Sequence, residues 1–185
     1  MFYSWQNDAV KAIGSGSAIL SAPTGSGKTW VAYVWAGLMG PSGAPAAPSG
    51  RVIFTAPIKA LSNERYMELR SMGFDAGLET GDFKKNAGAQ VLCCTQEIYT
   101  LKYARIPGQK VIVDEFHFIF NDPDRTRAYI DGLRSTSFDS DLLVMSATFG
   151  NPDVIKKYLQ DVAMREFVLY TTEKRVTDLI FRRSG

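Results

Sequence analysis

An α/β domain, with a mostly parallel sheet sandwiched by helices, is the fold class this sequence predicts. Three observations lead there. Short runs rich in Val, Ile, Leu and Phe recur along the chain, and longer stretches with helical periodicity separate them. The runs are also nearly continuous in apolar residues, as strands covered on both faces are. Strand alternating with helix implies right-handed crossovers within one parallel sheet. Ligands on such sheets sit beyond the carboxyl ends of the strands.

Taken in order, the first run is Ser17–Pro23, and a helix over Thr29–Met39 follows it. Residues 40–50, Gly-Pro-Ser-Gly-Ala-Pro-Ala-Ala-Pro-Ser-Gly, suit neither a helix nor a central strand and read as a flexible surface insertion. Arg51–Pro57 is the second strand. Ile58, Leu61, Leu69 and Met72 then share one helical face, with Glu64, Arg65 and Glu68 among the polar positions. Gln90–Thr95 and Lys110–Asp114 are further strands. Cys93 and Cys94 are adjacent and would point to opposite faces, which makes them two small buried hydrophobes rather than a disulfide or metal pair. Helices over Pro123–Arg134 and Pro152–Val162 each open on a proline, after Asp122 and Asn151 as N-caps. Asp141–Ala147 and Glu166–Tyr170 complete the strand set.

The whole of residues 1–185 fits one domain large enough to build its own core. With 45% hydrophobic and 22% charged positions and a net charge of +2, it is neither a disordered chain nor a polycationic tail. No apolar run reaches the roughly 18 residues that span a membrane, and the N-terminus lacks the order of a signal peptide. The expectation is a cytoplasmic protein with no membrane partner. A single histidine, His117, removes His-cluster metal sites.

The strongest motif is Ala22, Pro23, Thr24, Gly25, Ser26, Gly27, Lys28 and Thr29, placed between a strand and a helix. It matches the phosphate-cradling loop, with Ala22 where the strict pattern has Gly. Gly25 and Gly27 permit backbone conformations that aim N–H groups at phosphate oxygens. Lys28 supplies a cation for the β- and γ-phosphates, the Thr29 hydroxyl a ligand for Mg2+, and the helix N-terminus partial positive charge. Val111-Ile-Val-Asp-Glu-Phe-His117 is an aliphatic strand ending in two acids. Asp114 would hold Mg2+ through its water shell and Glu115 would orient or deprotonate water, with His117 as a relay. Ser146, Ala147 and Thr148 end the next apolar run.

These elements, in this order, resemble the first RecA-like domain of a superfamily-two helicase, nearest the DExH-box, superkiller-like group. Trp5-Gln6 with Ala9 resembles the opening motif, whose glutamine reads adenine. Residues 22–29 resemble motif I, Thr55–Asn63 motif Ia, Thr80-Gly81-Asp82 motif Ib, and Thr95-Gln96-Glu97 the next nucleic-acid motif. Asp114–His117 resembles motif II, Ser146–Thr148 motif III, and Asn151-Pro152 the stretch after it. The resemblance assigns Pro57, Lys59, Thr80, Gly81, Asp82, Thr95 and Gln96 to the backbone of a nucleic-acid strand. Mild support comes from charge: residues 51–110 hold nine Lys/Arg against six Asp/Glu.

The resemblance implies ATP and Mg2+ as cofactors and single-stranded or partly duplex nucleic acid, RNA or DNA, as partner. It also implies a second RecA-like domain, towards which residues 172–185 would lead, Val176–Phe181 being a strand on the way. That domain would supply arginine fingers, so the chain by itself would bind nucleotide weakly and hydrolyse it very slowly. Ser146 and Thr148 would couple the ATP state to the nucleic-acid surface. The alternatives are the translocase domain of a restriction or CRISPR-associated system and a single-domain ATP- or RNA-binding module. A small-molecule kinase fits less well, because the Asp-Glu-Phe-His and Ser-Ala-Thr pair has no place in one.

Overall fold

The computed structural model describes residues 4–23, 26–147 and 150–172. Eight strands among them form one sheet: β1 (Ala18–Ser21), β2 (Arg51–Ala56), β3 (Ala76–Glu79), β4 (Lys84–Lys85), β5 (Val91–Thr95), β6 (Gln109–Val113), β7 (Asp141–Ser146) and β8 (Val168–Thr171). Their order is β4-β3-β5-β2-β6-β7-β1-β8, and every pairing is parallel except β3 with β4. The α/β sandwich expected from the alternation is the fold that forms.

Strand side chains alternate faces, and here both faces are apolar. Leu20, Phe54, Cys93, Ile112 and Met145 belong to one core layer, while Ile19, Ile53, Cys94, Val113 and Val144 belong to the other. The adjacent cysteines therefore part to opposite sides of the sheet, buried and unbridged.

The first layer is covered by α1 (Ser4–Ile13), α2 (Lys28–Trp35) and α3 (Lys59–Ser71). Trp5, Ala9 and Ile13 lie at helical spacing on α1 and turn inward. The second layer is covered by α4 (Gln96–Ile98) with a π-helical continuation over 99–103, a 3-10 turn over 116–121, α5 (Pro123–Ser135) and α6 (Pro152–Ala163). The expected N-caps act as such: Asp122 Oδ1 accepts from the Asp124 N–H at 2.9 Å, and Asn151 Oδ1 from the Val154 N–H at 3.4 Å. No helix of the described residues is long and apolar enough to cross a membrane.

Three local features depart from expectation. The helix that follows β1, α2, stops at Trp35 instead of running to Met39, because Gly37 takes φ +81° and turns the chain. The segment expected to be a flexible surface insertion contains a hydrogen-bonded turn, which was not expected. Gly40 N–H donates to Ala44 O at 2.8 Å, Ala46 N–H to Leu38 O at 2.9 Å, and Met39 bridges Pro45. Finally, β3 and β4 were not foreseen. Asn86 crosses so close to β3 that a Cβ on Gly77 would lie 2.0 Å from its carbonyl oxygen, so only glycine fits. The expected strand Val176–Phe181 falls outside the described residues.

Candidate nucleotide and nucleic-acid site

The carboxyl ends of β1, β6 and β7 are neighbours in the sheet, and each delivers one motif. Ser21 pairs with Ser146 in register, and the chain stays tied just beyond the strands. There the Ala22 N–H donates to Ser146 O at 3.1 Å and the Ser21 hydroxyl to Ala147 O at 3.2 Å. The loop that follows β1 and the turn that follows β7 are thus hydrogen-bonded to one another.

Within the loop, Gly27 adopts φ +91° and leads into α2. A side chain there would collide with Gln6, whose Nε2 donates to Gly27 O at 2.9 Å. Gln6, expected near a nucleotide base, is buried against the loop itself. The Lys28 ammonium donates to Ala22 O at 3.1 Å. Burial pushes its pKa below the ordinary lysine value, with Glu115 and Asp114 opposing. Pro23 is buried, and the buried Ser26 hydroxyl has no hydrogen-bond partner among the described residues. Thr24, Gly25 and Thr148 lie outside the described residues.

At the end of β6, Asp114 Oδ1 accepts from the Glu115 N–H at 2.8 Å. Burial pushes the Asp114 carboxyl up, and the neighbouring Arg65 pulls it back. Glu115 sits in the left-handed region at φ +55°, an unusual conformation for a residue with a side chain. Its Oε2 lies 3.0 Å from His117 Nε2, while His117 Nδ1 accepts from the Ala147 N–H at 3.1 Å. With Nδ1 accepting, the ring proton is on Nε2 and is donated to the carboxylate. The His117 hydrogen bond holds the Glu115 carboxyl below its usual value, against burial and with help from Lys28 and Arg65. The Ser146 hydroxyl turns back onto Ala147 O at 2.5 Å.

These residues fit a magnesium-bound nucleoside triphosphate. The Ser26 hydroxyl, without a partner among the described residues, and the buried Lys28 ammonium are groups that phosphate oxygens would satisfy, and the Thr29 hydroxyl and Asp114 carboxylate meet at one cationic nitrogen of Arg65. Sequence reasoning missed Arg65. It read as one more polar position on α3, and nothing in helical periodicity marks a polar residue that turns inward.

A second concavity, of about 570 Å3, lies beyond the ends of β2, β3 and β5. Pro57, Lys59, Gly81, Thr95 and Glu97 line it, together with the apolar Ile58, Ala60 and Ile98. Lys59 and Asp82, both exposed, form an ion pair across its rim. Thr80 is nearly buried, its N–H bonded to Phe83 O at 2.8 Å, and the Thr95 hydroxyl accepts from the Ile98 N–H at 3.5 Å. Gln96 differs from expectation. It is fully buried, and a Cβ added to Gly132 of α5 would lie 2.6 Å from its Nε2, so it presents no side-chain atom to the groove.

A phosphate-cradling loop on a parallel sheet, beside an acidic strand end and a second strand end tied to it, defines a RecA-like P-loop domain. The family model for DEAD/DEAH box helicases matches residues 3–157, and the chain belongs to that family. The DExH-box ATP-dependent RNA helicase DExH9 of Arabidopsis thaliana is 30% identical over 95% of this chain and 18% of its own length. The exosome RNA helicase MTR4 of Mus musculus is 29% identical over 95% of this chain and 17% of its own. This chain therefore spans under a fifth of the length of these relatives. Among solved structures, S. cerevisiae Dbp5 bound to RNA and ADP BeF3 superposes with a TM-score of 0.67 at 21% identity, over 96% of this chain and 47% of that one. The Pyrococcus furiosus Hef helicase domain gives 0.65 at 19%, over 90% and 37%. These two likenesses are of fold.

Proposed function

We propose that the chain is the first motor domain of a nucleic-acid-dependent ATPase and helicase, which couples ATP hydrolysis to unwinding or translocation. The observation that carries this reading is the Glu115–His117–Ala147 chain, which joins the acidic end of β6 to the turn after β7. Lys28 would leave Ala22 O for phosphate oxygens, and Gln6 would close the base side of the loop. Thr29 and Asp114 would hold Mg2+, which supplies charge neutralisation at the phosphates when bound. Glu115, kept ionised by His117, would take the proton of the attacking water. Ser146 and Thr148 would report the state of this site to the strand groove.

The groove lined by Pro57, Lys59, Gly81 and Thr95 would hold the sugar–phosphate backbone of a single strand, a contact that carries little sequence information. RNA is the favoured strand, because the relatives at about 30% identity are named as RNA helicases. A DNA translocase is the second reading, since a fold neighbour at 15% identity, the helicase MrfA, is bound to DNA. A second RecA-like domain would complete the ATP cleft and supply a charge clamp, worth on the order of 10³–10⁵ in rate. The 185 residues alone would therefore bind nucleotide weakly and turn it over slowly.

The test is ATPase activity of the full-length protein with single-stranded RNA, single-stranded DNA or neither. Stimulation by RNA over DNA, and its loss in Glu115→Gln with nucleotide binding kept, is the expected result. Wild-type turnover by Glu115→Gln would overturn the assignment.

A further inference from the structure

Arg65 lies on the second turn of α3, yet its side chain is only 17% exposed. Its Nη2 is 3.1 Å from Asp114 Oδ2 and 3.5 Å from Thr29 Oγ1. Its Nη1 donates to Tyr33 Oη at 3.0 Å and faces Glu68 Oε2 at 3.4 Å. The Tyr33 hydroxyl in turn donates to Glu68 Oε1 at 2.5 Å, and the guanidinium lies over the rings of Tyr33 and Phe54, 5.8 and 5.6 Å from their centroids. Four parts of the fold thus fix this cation: α2, α3, β2 and the end of β6.

One nitrogen of Arg65 therefore faces both oxygens that the proposed reading gives to Mg2+. A buried carboxylate without a counter-charge is costly, and the guanidinium removes that cost while no metal is present. A guanidinium and a divalent cation repel, and they compete for the same two oxygens. We propose that Arg65 is a built-in stand-in for the metal: it neutralises Asp114 in the nucleotide-free domain and gives up Asp114 and Thr29 when a magnesium nucleotide binds. Tyr33 and Glu68 keep hold of Nη1, so the guanidinium has a place to swing without leaving the site. It is a positioning residue, and it makes metal-free nucleotide a tolerable ligand by leaving a positive charge near the phosphates. The inference rests on Thr29 and Asp114 being the metal-holding pair.

The test is equilibrium titration of the full-length protein with a fluorescent ADP analogue, in Mg2+ and in EDTA, for wild type and Arg65→Gln. The substitution is expected to weaken metal-free binding and to strengthen magnesium-dependent binding. The ratio of the two affinities should move by about tenfold or more, as a unit charge at this separation implies. A purely structural role would change both affinities in the same sense, and an unchanged ratio overturns the inference. Failure of wild type to bind ADP under either condition overturns the nucleotide reading itself, and this inference with it. A second measurement needs no nucleotide: Mg2+ should raise the melting temperature of Arg65→Gln and leave that of wild type nearly unmoved. Equal response of the two proteins to Mg2+ counts against the proposal. If Arg65→Gln does not fold, Arg65→Lys replaces it. Its charge reaches Asp114 without the fork that also holds Tyr33, so an intermediate affinity ratio supports the stand-in role and a wild-type ratio refutes it.

Discussion

The backbone N–H of Ala147 donates to Nδ1 of His117 at 3.1 Å, so a turn after one strand sets the tautomer of a histidine after another. That choice decides what Glu115 feels. A ring protonated at Nε2 donates to the carboxylate, and this bond is the largest influence holding the Glu115 pKa low. Removing it in His117→Ala leaves Lys28 and Arg65 alone against burial, which raises a carboxyl pKa, so the Glu115 pKa rises. In the role proposed for it, Glu115 is a general base that works only when ionised, so activity would fall as pH drops through its pKa. The acid limb of the kcat/KM–pH profile of the full-length protein should therefore shift to higher pH in His117→Ala. An unmoved limb would separate His117 from the base.

Lys59 and Asp82 neutralise one another at the rim of the groove. An exposed pair contributes about 1 kcal/mol of stability at most, so Asp82→Asn should fold normally while releasing Lys59. Affinity for single-stranded RNA should then rise a few-fold. The slope of log affinity against log salt should steepen by about 0.7, one phosphate contact on a single strand. Lys59→Ala should weaken binding at low salt. Filter binding across a salt series reads both, and indifference to both changes would exclude Lys59 from the contact.

Gly77→Ala tests how tightly the sheet edge is built. The added methyl would lie 2.0 Å from the Asn86 carbonyl oxygen, with the Lys85 carbonyl oxygen 3.1 Å away. Backbone, not a flexible side chain, must yield, and such overpacking costs about 3 kcal/mol. Urea denaturation should show the unfolding free energy falling by that amount, as a lower midpoint at unchanged slope. Gly88→Ala, where an added Cβ meets nothing within 4 Å, is the control.

Glu79 is buried at the end of β3, and Lys102 and Tyr103 both donate to it. Burial works to raise its pKa, but the Lys102 and Tyr103 hydrogen bonds win and hold it below the ordinary glutamate value. In the folded protein the carboxylate therefore binds its proton less readily than in the unfolded chain. Its contribution to stability is complete above the ordinary glutamate range and is lost as pH falls through the lower folded value. Melting temperature should drop with acidification over that interval. Glu79→Gln should be less stable near neutrality and flatter through it.

Motif residues at strand ends were legible because apolar runs locate the strands, and a parallel sheet puts chemistry at their carboxyl ends. Lys28, Asp114 and Glu115 stand together for that reason. Gln96 was misjudged because a helix of three residues has no periodicity from which to read its buried side. Arg65 was invisible for a related reason: a charged residue on an amphipathic helix has the same pattern whether water or a carboxylate faces it. Residues 76–79, Ala-Gly-Leu-Glu, contain no β-branched or aromatic residue, so their strand owes its existence to pairing with β5 rather than to propensity. The turn at Met39–Pro45 likewise depends on hydrogen bonds between backbone groups that composition does not reveal.

The shortest strand has a consequence for the molecule among its neighbours. A parallel sheet exposes a template for further pairing at its rim, and long bare rims invite fibrous association. At one rim the chain reverses into two exposed lysines, Lys84 and Lys85, that run against the direction of all the rest. A strand added there would have to bury two charged side chains, which is costly, and the reversal leaves no continuous row of parallel partners. That rim is a terminus, and growth of the sheet on that side stops with the second lysine.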